Sequence, residues 1–140
     1  MPAIIAYKAR GGQNRRYTNA MLVISIIGIG STHAIARVAA NSRYSYARVY
    51  WIFETAHFLV GAFLAMFFST FFDDPWEIVS IVAGIGLLWE IIEYFMWESP
   101  VWRKKFLKKG TITLPDTLLD LVLDAAGALF FVFLLLPHLR

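Results

Sequence analysis

Apolar positions in this chain gather into four long runs, separated by short polar, proline-containing or aromatic breaks. The first extends from about Ala20 to Ala36, roughly 17 residues and about 25 Å as a helix, just enough to cross a hydrocarbon core. The second covers about Tyr50 to Phe72 and the third about Trp76 to Trp97, each roughly 22 residues. The fourth covers about Asp116 to Leu136. Buried helices of soluble proteins rarely follow one another at such lengths. The pattern predicts an all-α chain: a polytopic membrane protein, with residues 1–140 forming a single transmembrane domain, a bundle of four transmembrane helices. The apolar stretch leading to Ala34-Ile35-Ala36 also has the form of a secretory cleavage site; it is read here as a retained helix.

The breaks carry their own signals. Asp74-Pro75-Trp76-Glu77 places a capping aspartate before a first-turn proline and a glutamate, a capping box for the third helix. Thr113-Leu114-Pro115-Asp116 repeats it more loosely before the fourth. Tyr44, Tyr46, Tyr50 and Trp51 form one interfacial belt with Tyr94, Trp97 and Trp102, and Phe71, Phe72 and Trp76 form the opposite one. Gly28, Gly30, Gly61, Gly84, Gly86 and Gly127 lie inside the spans, where small residues let helix backbones approach.

Composition strengthens the membrane reading. Hydrophobic residues reach 59%, against about 45–50% in soluble domains, and a chain of 140 residues has too much surface to hide the excess from water. The absence of cysteine excludes a disulfide scaffold and thiolate ligation of zinc or iron–sulfur clusters. The net charge of +3 does not imply a nucleic-acid partner, because in a membrane chain the location of the positive residues carries the information. The 1–2 and 3–4 loops share one side with Arg37, Arg43, Arg48, Arg103, Lys104, Lys105, Lys108 and Lys109. The other side has Lys8, Arg10, Arg15, Arg16 and Arg140. The positive-inside rule therefore predicts cytoplasmic 1–2 and 3–4 loops and external termini.

The candidate chemistry lies in ionisable residues within the spans. Helix two has Glu54 and His57, helix three Glu90 and Glu93, and helix four Asp116, Asp120 and Asp124, with His33 on helix one. At about 100° per residue the three aspartates sweep only about 80°, and each i,i+3 pair about 60°, so each set shares a face. Counted inward from the basic loops, His57 and Glu90 lie about 10 Å deep, Asp120 about 6 Å and Asp124 about 12 Å. The polar groups thus occupy one half of the membrane. Five carboxylates (Glu54, Glu90, Glu93, Asp120, Asp124) left charged and unpaired would cost on the order of 12–17 kcal/mol. Protonation, water, loop arginines or a cation must offset this. Carboxylates and imidazoles converging from several helices are also how bundle cores hold Fe or Mn. Glu54, His57, Glu90, Glu93, Asp120 and Asp124 are therefore candidate ligands for a divalent ion, with Mn, Fe, Mg or Zn suited to a thiol-free donor set. A hydrogen-bonded structural network remains the alternative. Asp116 also fits a helix-dipole partner and His33 a packing residue.

The same residues carry a likeness. His57-Phe58-Leu59-Val60-Gly61, then Leu88-Trp89-Glu90-Ile91-Ile92-Glu93-Tyr94, then Asp116 through Ala128 resemble the VanZ-like and YjdF-like families of small integral membrane proteins. The resemblance covers roughly residues 50–135. It implies that His57, Glu90, Glu93, Asp120, Asp124 and Gly127 occupy recurrent polar and small positions. Glu54 stands where those families more often have aspartate, and the chain has fewer spans than YjdF-like members.

Three functions compete. In the first, a membrane-embedded hydrolase or transferase uses a bound metal, with His57 or Glu93 as general base. Arg43, Arg48, Lys104 and Lys105 would attract a lipid or lipid-linked phosphate substrate and anionic headgroups. The second is a proton or cation relay. The third is a non-catalytic subunit, in a homo-oligomer or a larger membrane complex.

Overall fold

The protein is described here by a computed structural model covering residues 2–102 and 113–139, with side chains from residue 17 onward. It is 89% helical, with no strand among the described residues, so the all-α expectation holds. Helix α1 spans Pro2–Asn41, α2 Tyr46–Phe68, α3 Pro75–Glu98 and α4 Leu114–Phe130. A π-helical segment, Phe131–Leu135, and a last turn, Leu136–Leu139, extend α4. Among the described residues, four stretches are long and apolar enough to cross a bilayer: Tyr17–Asn41, Tyr46–Phe68, Pro75–Glu98 and Leu114–Leu139. The chain is a multi-pass membrane protein.

Local chemistry sets the helix ends. Asp74 Oδ1 accepts from the backbone N–H of Trp76 at 2.8 Å and of Glu77 at 3.4 Å, so the capping aspartate starts α3 beside Pro75. Thr113 Oγ1 accepts from Asp116 N–H at 3.4 Å and starts α4. Helix α2 begins about four residues before the apolar run, because the Tyr46-Ala47-Arg48 turn is polar yet helical after Ser45. It also stops about four residues sooner. Ser69 and Thr70 turn their hydroxyls back onto the carbonyls of Met66 and Phe67, and the backbone N–H groups of Phe71 and Phe72 both donate to Phe68, so residues 69–72 form a turn. Helix α1 overruns its apolar run at both ends. Near the end of the fourth span, Leu136 N–H donates to Phe131, a wide turn just before Pro137, whose ring leaves no donor for an ordinary helical bond.

The order of packing is α1 on α2, α2 on α4 and α4 on α3, with a lesser contact between α2 and α3. The α2–α4 interface is the most extensive and is nearly backbone to backbone. A Cβ at Gly61 would overlap the Asp124 carbonyl, and one at Gly127 would overlap the Phe58 carbonyl. Only glycine permits that approach.

The bundle is asymmetric along its length. Ala65, Ile78, Val82, Ala128, Phe131, Val132 and Leu136 form a dry core toward the 2–3 connection. Glu54, Glu90, Asp120 and Asp124 are buried toward the other end. Between 17% and 28% of each span is buried within the chain, so most side chains on these helices face lipid or another protein.

A candidate metal centre

Four helices deliver polar side chains to one cavity of about 650 Å³. Its walls come from α1 (Thr32, His33, Arg37), α2 (Tyr46, Glu54, His57), α3 (Trp89, Glu93) and α4 (Asp116, Asp120, Asp124), among other residues. The observed start of α2, end of α3 and start of α4, each beyond its apolar run, correct the sequence-based depths. His57 lies about 16 Å from the beginning of its helix, level with Asp124 at about 15 Å, with Glu90 at about 12 Å and Asp120 at about 9 Å.

That level arrangement lets one imidazole bridge two carboxylates. His57 Nε2 is 3.6 Å from Asp120 Oδ1, and His57 Nδ1 is 3.4 Å from Asp124 Oδ1. Single donor atoms from His57, Glu90 and Asp120 all lie within 4.8 Å of one another. Ligands about 2.1–2.4 Å from a shared ion stand at most about 4.2–4.8 Å apart, so this group fits one cation with little side-chain movement.

The carboxylates lack full compensation. Glu54 is 4% exposed and Glu90 6%, and Oε2 of Glu54 and Oε1 of Glu90 are buried without a hydrogen-bond partner. The hydroxyls of Tyr50 and Thr117 are neighbours of Glu54 and Glu90 respectively. Buried carboxylate oxygens that remain unpaired are costly, and a cation shared with His57 and Asp120 would relieve the one on Glu90.

The remaining candidates divide clearly. Asp124 packs behind His57, and its Oδ2 lies 2.7 Å from where a Cβ on Gly86 would stand. Glycine on α3 therefore leaves room for this carboxylate. Glu54 and Glu93 line the cavity outside the three-residue group. His33 and Asp116 line it too. Arg43 and Arg48 are exposed and do not line it, and Lys104 and Lys105 lie outside the described residues. Sequence reasoning missed Arg37 and Tyr46 as wall residues, and Tyr50 and Thr117 as hydroxyl neighbours of Glu54 and Glu90. The one-turn spacing of Tyr50 and Glu54 was the available signal. Arg37 gave none, since it was counted with the loop charge.

No family model, curated protein or solved structure matches the chain.

Proposed function

We propose that this protein is a membrane-embedded, divalent-metal-dependent hydrolase or transferase acting on a lipid or lipid-linked phosphate at the bilayer interface. The observation that supports it most is the convergence of His57, Glu90 and Asp120 on one point, with an orphaned buried oxygen on Glu90. His57 through Nε2, together with Glu90 and Asp120, would hold the cation. Asp124 would accept from His57 Nδ1–H, fixing the tautomer that leaves Nε2 free to ligate, the usual carboxylate–histidine–metal arrangement. A metal in this position supplies charge for a phosphate oxygen and a more acidic water. Glu93, inside the cavity and outside the ligand group, is then the general base in preference to a histidine already committed to the ion. Kinship with the VanZ-like and YjdF-like families belongs to the same proposal, resting on the three motif segments.

A transmembrane relay is less well supported. Beyond Asp124 the described buried residues toward the 2–3 connection include no ionisable side chain, and Val82, Phe131 and Val132 fill that half.

The test is phosphate release or transfer from a panel of phosphate-bearing lipids in nanodiscs. Activity should vanish on chelation, return with Mn²⁺, and fall at least about 100-fold in Glu93→Gln with bound metal unchanged. Chelator-insensitive turnover, or full activity in Glu93→Gln, contradicts the reading.

A further inference from the structure

Resting on the metal-centre reading, a second feature of the cavity specifies how a substrate would reach it. The two outer helices line the cavity together, yet no packing like that of α1 on α2 or α3 on α4 joins α1 to α3. The floor is α2 and α4, packed closely through Gly61 and Gly127. The space between α1 and α3 is therefore a cleft along the side of the bundle.

The α1 wall is graded. Ile29, His33 and Arg37 follow at four-residue steps and all line the cavity, so they form one stripe. Arg37 is half-buried about 6 Å from the end of α1, and Ile29 lies about 12 Å deeper. Opposite, Ile85 and Ile92 line the cleft from α3. The shallow end carries Arg37 together with Asp116 and Glu93, and the deep end is apolar at Ile29, Leu64 and Ile85. With a cation offsetting the carboxylates, this grading matches a lipid lying parallel to the helices, headgroup at the interface and chain toward the midplane. A soluble phosphate would use only the shallow end.

We propose that the α1–α3 cleft receives a phosphate-bearing lipid sideways from the surrounding leaflet, with Arg37 holding the headgroup phosphate next to the His57–Glu90–Asp120 group. Arg37 joins Arg43, Arg48, Lys104 and Lys105 as a headgroup contact, and unlike Arg43 and Arg48 it lines the cavity. Its planar guanidinium suits a phosphate at two oxygens.

The experiment is native mass spectrometry of the full chain, purified with Mn²⁺, against dioleoyl phosphatidate, dioleoylglycerol and inorganic phosphate, with metal content read on the same samples. Wild type should retain phosphatidate at least about tenfold better than dioleoylglycerol, as a charge-assisted contact predicts. Arg37→Gln should shrink that preference to under about threefold with Mn²⁺ unchanged, and Arg37→Lys should restore part of it. Ala36→Trp, on the cavity wall, should lower retention of both lipids while Arg37 stays in place. Equal retention of the two lipids overturns the proposal, as does an unaltered preference in Arg37→Gln. Inorganic phosphate competing mole for mole with phosphatidate overturns it as well. Mn²⁺ bound without lipid preference defeats the cleft alone. A phosphatidate preference without Mn²⁺ defeats the metal reading and supports the cleft.

Discussion

Replacing Asp124 by alanine separates an orienting carboxylate from a metal ligand. The substitution removes the acceptor 3.4 Å from His57 Nδ1 and leaves that N–H without it. A hydrogen bond to a charged acceptor is worth about 1.5–3 kcal/mol. Loss of such a partner behind a ligating histidine weakens metal binding about 10–100-fold, or about 1.4–2.7 kcal/mol. Asp120→Ala removes a donor from the converging group itself and should weaken binding by more than about 100-fold. Asp124→Asn keeps an acceptor oxygen and should fall between wild type and Asp124→Ala. Competition against a fluorescent chelator in detergent micelles, with Mn²⁺ as the titrant, gives all four affinities. If Asp124→Ala loses as much as Asp120→Ala, Asp124 is a ligand and the orienting role is wrong. If it loses nothing, the His57–Asp124 contact does not position the ring.

Other consequences follow from single contacts. Gly127→Leu forces a side chain into the Phe58 carbonyl and should lower the melting temperature in detergent by more than 10 °C or prevent folding, whereas Gly30→Ala, with open space around it, should shift it by less than about 2 °C. Glu90→Gln should weaken Mn²⁺ binding at least about tenfold and Glu54→Gln less than about threefold, because only Glu90 joins the converging group. Mn²⁺ occupancy should fall as the pH is lowered, since protons compete for the His57 nitrogen and the carboxylate oxygens; occupancy unchanged in acid would contradict ligation by these groups. Asp74→Ala removes two N-terminal hydrogen bonds from α3 and should cost about 1 kcal/mol in a denaturation assay, with metal binding unaffected.

Sequence pattern revealed the spans because lipid is an unforgiving solvent: a 20-residue apolar run has few other uses. It also revealed the shared face of Asp116, Asp120 and Asp124, since helical period alone fixes it. The helix ends were harder to read. Hydropathy records where lipid begins, and Tyr46 to Val49 continue the helix past that limit. The shift moved both His57 and Asp124 deeper and left them level, as the apolar runs had already placed them. Which carboxylate meets which ring nitrogen depends on the α2–α4 approach, and glycines at 61 and 127 signal a close contact without naming its partner. Arg37 was illegible for a similar reason. An arginine at the end of a span reads as loop charge until a neighbouring helix gives it a wall to join.

A cation shared by α2, α3 and α4 is what the proposed chemistry requires. Crystals grown with Mn²⁺ and measured at the manganese absorption edge test this directly. An anomalous peak should stand within about 2.5 Å of His57 Nε2 and of a carboxylate oxygen from both Glu90 and Asp120, and be missing from Asp120→Asn crystals. A fully ordered site with no such peak, or a peak bound only by exposed acidic residues, would contradict it.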